Sequence, residues 1–251
     1  MDILYVVGKR LSGWNDNELR YSLRSLTKNC AGIGRVFIVG HIPAFVNRNN
    51  PDVVCVEFRD PTPNNKHYNI LAAIEHVVYH TDISEHFLLS SDDHYYVQPT
   101  DFEHYPIYWR GREIPANTDS KRWYDITLNS TREVLDAFGL PVFHYAWHGN
   151  THFNKRLFMQ RRFELLRKLA YLMPECCEPS CLMLNYWRAV EPDTMPEHEI
   201  IRDGKIGQAD TRESIDAAKA AKHVLSSTDA VGIALKEWLA VEFKDKAKYE
   251  R

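Results

Sequence analysis

The chain has 251 residues, of which 44% are hydrophobic and 26% charged, with a formal net charge of −3. A chain of this length can bury a substantial core, and its slightly acidic balance argues against a protein that binds nucleic acid over its whole surface. Five cysteines, an odd number in so long a chain, give no disulfide framework and fit a reducing compartment.

The opening "MDILYVVGKR" has an acid where a secretory leader carries positive charge. No later apolar run approaches the roughly 20 residues that span a bilayer, so a soluble, cytoplasmic protein without a transmembrane segment is expected. "DILYVVG", Asp2 to Gly8, and "RVFIVG", Arg35 to Gly40, are short β-rich runs closed by glycine and predict buried strands. Between them "NELRYSLRSLTKNC" places Leu19, Leu23, Leu26 and Cys30 at helical spacing, with Arg20, Arg24 and Lys28 as a second stripe. Asn15 or Asn17 is the expected N-cap. A β–α–β opening predicts a parallel sheet with a right-handed crossover.

"VVCVEF", Val53 to Phe58, is a third strand candidate, and Lys66 to His80 carries Ile70, Leu71, Ile74, Val77 and Val78 on one helical face. "HFLLSS" follows as the fourth strand, so the first hundred residues read as a doubly wound α/β sheet. Beyond Tyr96 prolines and aromatics break the periodicity until Arg156 to Met173, which reads as one long helix ending before Pro174. Two further helices are predicted, about Arg212 to Leu225 and about Ala230 to Phe243, the latter with Val231, Leu235, Trp238 and Leu239 on one face. With no repeat or flexible linker, a single domain over 1–251 is expected, its 1–98 half binding donor and its helical 99–251 half binding acceptor.

"HFLLSSDDHYYV" delivers Asp92, Asp93 and His94 to the carboxyl end of that fourth strand, where open α/β sheets bind ligands. Adjacent carboxylates on a turn suit Mg²⁺ or Mn²⁺ shared with a diphosphate, since such a cation takes one or two protein carboxylates and completes its shell from phosphate and water. His94 is a candidate extra ligand favouring Mn²⁺. The alternative is a capped, solvated strand end. Cys176, Cys177 and Cys181 lack the paired two-residue gaps of zinc sites and are expected to be small packed residues.

"DILYVVG", "NELRYSLRSLTKN", "GRVFIVGHIPAFV" and "DISEHFLLSSDDHYYV" together resemble the first two conserved regions of the Stealth proteins, and "LKEWLAVEFKDKAKYE" is similar to that family's terminal motif. The family comprises sugar-phosphate transferases of bacterial capsule synthesis and the lysosomal-enzyme GlcNAc-phosphotransferase. The resemblance implies an α/β, GT-A-like nucleotide-sugar transferase fold: a mostly parallel central sheet flanked by helices, with a helical C-terminal region. It also implies that Asp92 and Asp93 play the metal- and diphosphate-binding "DxD" role. Where the family opens with a "YTWVDGSD"-like run, this chain has "YVVGKRLSGW", without an Asp after the first strand, which tilts the expectation toward glycosyl transfer. Short chains of this pattern also resemble glycosyltransferase-like proteins of phages, which would act in the host cytoplasm on a modified DNA base.

In that frame Gly8, Lys9 and Arg10 follow the first strand where a nucleotide would dock, glycine permitting close approach and the basic pair contacting phosphate. Arg20 and Arg24 either reach phosphate or pair with acids of a neighbouring helix. Lys66 and Asn69, at a helix start that favours anions, are candidate donors to the sugar or diphosphate, with plain capping as the alternative. "HYAWHGNTHFNKRLF" spaces His144, His148 and His152 by four, but Gly149 and Asn150 argue for a loop. His148 is the candidate metal ligand or acid/base of this stretch and Lys155 a candidate phosphate contact.

Tyr95, Tyr96, Tyr108, Trp109, Trp123, Tyr124, Tyr145 and Trp147 supply either stacking faces for sugar or base, or core. For a DNA acceptor, "NKRLFMQRRFELLRK" offers Lys155, Arg156, Arg161, Arg162, Arg167 and Lys168 as a phosphate-tracking face, and the base would have to be flipped out. The expected reaction is metal-dependent transfer from a nucleotide-diphosphate sugar to a glycan or a hydroxymethylated DNA base. Sugar-1-phosphate transfer, or non-catalytic binding of carbohydrate or nucleotide, are the alternatives.

Overall fold

The computed structural model describes residues 1–8, 14–116, 121–173, 175–200, 205–207, 209–222, 224–227 and 231–251. In chain order the elements begin β1 (Asp2–Val7), α1 (Asn17–Asn29), β2 (Cys30–Ala31), β3 (Val36–Gly40), β4 (Val53–Val56), α2 (Lys66–His80), β5 (His86–Ser90), β6 (His94–Tyr96), β7 (Thr100–Asp101) and β8 (Ile107–Trp109). They continue α3 (Trp123–Ala137), β9 (Thr151–Asn154), α4 (Lys155–Met159), α5 (Arg161–Leu172), α6 (Pro179–Val190), β10 (His198–Ile200), β11 (Lys205–Ile206), α7 (Arg212–Ala221), β12 (Val224–Ser227) and α8 (Ile233–Glu242).

The central sheet has the order β4-β3-β1-β5-β9. Its first four strands are parallel, and β9 closes the edge antiparallel to β5, with His86 opposite Asn154 and Leu89 opposite Thr151. Strands covered on both faces need apolar residues at successive positions, which is why "ILYV" and "VFIV" are unbroken. Leu4, Phe37, Val39 and Phe87 pack on one face with Leu71, Ile74 and Val77 of α2 and with Leu182 and Trp187 of α6. Ile3, Tyr5, Val7, Ile38 and Leu88 face the other way, onto Leu19, Leu23 and Leu26 of α1. A third cluster joins Tyr95 and Leu225 to Leu235, Trp238 and Leu239 of α8, and β6 pairs antiparallel with β12, placing Ser226 opposite His94.

Helix α2 has the bounds the sequence predicts, capped by Asn65, whose side chain accepts from the Tyr68 amide at 3.0 Å. At α1 neither expected asparagine is the cap. Asp16 holds that position in left-handed backbone, φ 60°, and its carboxylate pairs with His41 Nε2 at 3.1 Å instead of the helix amides. The expected long helix is two, α4 and α5, because Gln160 is extended (φ −63°, ψ 140°) with its side chain accepting from Tyr186 Oη at 2.6 Å. The helix expected to reach Leu225 stops at Ala221, and "VLSS" pairs as β12. Helices α3 and α6 were hidden by aromatic and cysteine-rich stretches. The three cysteines Cys176, Cys177 and Cys181 are buried core residues with unoxidised thiols. Among the described residues no helix is long and apolar enough to cross a membrane.

Candidate active site

At the carboxyl end of β5 the chain makes a β-turn, closed by the His94 amide donating to the Ser91 carbonyl at 3.2 Å, with Asp92 and Asp93 at its central positions. The turn resolves a geometric difficulty: consecutive strand residues face opposite ways, whereas central turn residues can serve one ligand. Asp92 is buried and Asp93 half-buried. The His94 ring closes the turn a second time, its Nδ1 accepting from the Ser91 amide at 3.2 Å with Ser90 Oγ at 3.4 Å. An accepting Nδ1 puts the proton of the neutral ring on Nε2. Burial lowers the His94 pKa and nearby His148 acts with it, while Asp93, a hydrogen bond with Asn150 and Asp92 oppose the shift. The turn and the stretch preceding β9 therefore meet.

Beneath the turn lies a buried hydroxyl network. Ser22 Oγ of α1 donates to the His94 carbonyl at 2.6 Å and meets Tyr5 Oη at 3.0 Å. Tyr96 Oη donates to Asn150 Oδ1 at 2.8 Å and meets Ser90 Oγ at 3.1 Å, while Ser25 Oγ accepts from the Tyr96 amide at 3.0 Å. Buried hydroxyls that are bonded in this way fix the backbone they hold. The small residues of "RYSLRS" act here as struts under the Asp pair.

The direction of β9 sorts the remaining candidates. Running antiparallel, it starts beside the turn, so half-buried His148 stands at the carboxyl edge, whereas His152 is buried and donates Nε2 to the Tyr105 carbonyl at 2.7 Å. Lys155 follows β9 and so lies at the opposite, amino edge, where its Nζ donates to the Thr81 carbonyl at 3.0 Å. Its expected phosphate contact gives way to capping the end of α2.

Arg24 forms a fork on Glu250, Nε to Oε1 at 2.6 Å and Nη2 to Oε2 at 3.0 Å, and donates Nη1 to the Phe243 carbonyl at 3.2 Å. Of the two roles open to it, the acid partner is the one taken, and this hydrogen-bonded pairing raises its pKa. Arg20 lies over the Phe45 ring at 4.6 Å and donates to Asn17 Oδ1 at 2.9 Å. Asn69 is spent on a loop clamp, donating to the Thr62 carbonyl at 2.7 Å and accepting from Thr62 Oγ1 at 2.9 Å. Lys66 is exposed in the first turn of α2. Gly8 is exposed, and among the described residues no atom lies within reach of a side chain placed there. Lys9 and Arg10 lie outside the described residues.

Two features were not singled out from the sequence. An open cleft of about 520 Å³ lies along the carboxyl ends of β3 and β4, lined by Gly40, His41, Arg48, Glu57, Phe58 and Arg59. Gly40 has φ 98° and lies so close to the Val7 carbonyl that a side chain would collide with it. Apart from Arg48, these residues end or directly follow predicted strands, and that position was the available signal. Glu18, buried in the first turn of α1, is the second; burial raises the Tyr95 pKa, and Asp93, Glu18 and Asp92 push it further in the same direction.

Among the described residues no group of three or more His, Cys, Asp or Glu is arranged as a complete metal site. His94, expected as a ligand, uses Nδ1 to hold the turn. What stands at the edge is a carboxylate pair, and that donor set fits a hard cation completed by water and phosphate oxygens.

The architecture is that of the GT-A glycosyltransferases. An active-site mutant of LgtC superposes with TM-score 0.50 over 99% of this chain and 98% of its own at 9% identity, a likeness of fold alone. Residues 13–112 match the family described as Stealth protein CR2, conserved region 2. The human and mouse N-acetylglucosamine-1-phosphotransferase subunits alpha/beta are 36% identical over 100 residues, 36% of this chain and 8% of theirs. An exopolysaccharide phosphotransferase of Streptomyces coelicolor is 35% identical over 97 residues, 34% of this chain and 16% of its own. The chain thus spans a small part of the curated relatives it matches.

Proposed function

We propose that the chain is a transferase that takes a sugar or sugar phosphate from a nucleotide-diphosphate sugar to a glycan. The observation that carries this reading is the turn bearing Asp92 and Asp93 at the carboxyl edge of β5, with His148 returned to the same edge by β9. The Stealth region and the GT-A fold support it.

The donor nucleotide would lie along the edge from the cleft at His41, Arg48 and Arg59 past Gly8 to the turn, its diphosphate beside Asp92 and Asp93. Mn²⁺ or Mg²⁺, held by Asp93 with Asp92, would neutralise the departing phosphate. His148, half-buried at the edge, would take the proton from an attacking acceptor hydroxyl. Attack at the glycosidic carbon breaks its bond to the diphosphate and releases a nucleoside diphosphate. Attack at the β-phosphorus transfers sugar phosphate and releases a nucleoside monophosphate. Loss of the family's opening Asp favours the first; the phosphotransferase relatives favour the second.

A glycan is the better acceptor than a DNA base. The basic stretch that would track phosphates starts at the amino edge of the sheet, away from the turn, and most of it is occupied. Arg156 pairs with Glu191, Arg167 is buried 2.8 Å from Glu75, and Lys168 pairs with Glu164 at 2.6 Å. Arg162 donates to the Phe138 carbonyl at 3.3 Å.

The test is a thermal-shift screen of uridine, guanosine and cytidine diphosphate sugars with and without Mn²⁺, followed by identification of the nucleotide released. Metal-dependent stabilisation and a released nucleotide, both absent from Asp93→Ala, are expected. Stabilisation without release would leave a non-catalytic binding protein, and neither would remove the reading.

A further inference from the structure

Five aromatic rings form a ladder from the core to the active-site rim. Tyr96 meets Phe102 at 5.5 Å, Phe102 meets Tyr105 at 5.2 Å, Tyr105 meets Tyr108 at 5.4 Å and Tyr108 meets Trp147 at 4.9 Å. Interplanar angles of 77°, 79°, 79° and 62° make every rung edge-to-face, the arrangement that ring quadrupoles favour. Tyr96, Phe102 and Tyr105 are buried, while Tyr108 and Trp147 are half-buried. The inner rung is the tyrosine whose hydroxyl bonds Asn150 and Ser90 beneath the Asp turn. The outer rung immediately precedes His148.

Trp147 is also fixed from behind. A side chain at Gly149 would coincide with ring atoms Cζ2, Cζ3 and Cη2 of Trp147, so the indole occupies the space that glycine leaves open. A ring held by Tyr108 on one side and by the Gly149 backbone on another loses little further freedom when a ligand lands on it. A sugar ring presents an apolar C–H face with hydroxyls at its rim. An aromatic platform beside a polar turn matches that pattern.

We propose that Trp147, backed by Tyr108 and seated on Gly149, is the platform on which the acceptor sugar ring lies, so that the acceptor is a glycan whose terminal pyranose is presented to the Asp turn. The proposal rests on the transferase reading for its orientation toward the turn, but glycan binding can be measured without turnover. The wild-type chain and the variants Trp147→Ala, Trp147→Phe and Gly149→Ala are applied to a printed array of hexose, N-acetylhexosamine and uronic-acid oligosaccharides. Nucleotide-sugar thermal shifts and melting temperatures are read on the same samples.

The wild type is expected to bind a subset of glycans. Trp147→Ala should weaken that binding by about tenfold or more and Trp147→Phe by less, as expected for loss or shrinkage of a stacking ring. Gly149→Ala keeps the indole but displaces it, and should weaken binding like Trp147→Ala. If Trp147→Ala fails to fold, the conservative Trp147→Phe and Gly149→Ala variants decide. No glycan bound by the wild type, equal binding by folded variants, or Trp147-dependent binding of a hydroxymethylcytosine duplex instead of glycans would each overturn the platform. Trp147-dependent glycan binding without any nucleotide-sugar stabilisation would leave the platform standing and remove the transferase reading.

Discussion

Asp93 and His94 are neighbours with different tasks, and mutation should separate them. Asp93→Asn keeps the shape and removes a charge at the edge where diphosphate is proposed to lie. It should lower nucleotide release by roughly 100-fold or more, the scale of losing one group that stabilises transition-state charge, with little change in the denaturant midpoint. His94→Ala leaves the Ser91 amide without its imidazole acceptor in a half-buried turn, which costs about 1–2 kcal/mol of stability. Unfolding midpoints and nucleotide release on both variants check this. A His94→Ala protein of unchanged stability but weakened Mn²⁺ binding would return His94 to the proposed ligand set. That "SSDDH" brings two carboxylates to the carboxyl end of a strand was legible, because the apolar run before it announces the strand. The occupation of Arg24, Asn69 and Lys155 was not, since their partners Glu250, Thr62 and Thr81 are brought to them only by the finished fold.

Elements with a strong local signal appear where the sequence predicts them, and those whose ends depend on other elements do not. Helix α2 is set by Asn65 and an apolar stripe, so Asn65→Ala should cost about 1 kcal/mol, read as a shift in urea midpoint at unchanged slope. Helices α4 and α5 separate at Gln160 because Tyr186, distant in sequence, bonds its side chain. The C-terminal segment is an element of the same dependent kind. Asn47 donates its amide to the Tyr249 carbonyl at 2.8 Å, and Arg251 donates its own to Phe45 at 3.0 Å. Glu250, with a side chain 3% exposed, receives Arg24. The "RYSLRS" motif thus carries two kinds of residue: serines that strut the Asp turn and an arginine that holds the terminal motif on α1. Glu250→Ala would leave the half-buried Arg24 guanidinium without its acid and should destabilise by about 1–3 kcal/mol, whereas Arg24→Met with Glu250→Leu should lose less. Equal losses would show that the segment is held by packing of Tyr249 and Ala247 alone.

At the scale of the whole molecule, the chain folds around buried histidines that must stay neutral. Burial pushes the pKa of His67 down to about 3 and that of His152 to about 4, from an ordinary 6.5. His152 uses Nε2–H to satisfy the Tyr105 carbonyl, and His67 packs edge-on against Trp123 at 4.7 Å. Below pH 6.5 the unfolded chain takes up protons at these positions and the folded chain does not. Stability therefore rises with pH across the interval and falls as pH drops from about 6.5 toward 4. Each histidine contributes a slope of roughly 1.4 kcal/mol per pH unit once its unfolded form is fully protonated. Between pH 7 and pH 5 the two together should remove about 4 kcal/mol, before most unpaired carboxylates have begun to titrate. Urea unfolding at half-unit pH steps measures this, and His152→Gln, which keeps an N–H for the Tyr105 carbonyl, should reduce the slope by the share of one histidine. An unchanged slope in that variant would mean that His152 already takes up its proton in the folded chain, and that Tyr105 and the outer rungs of the ladder rest on a charged ring.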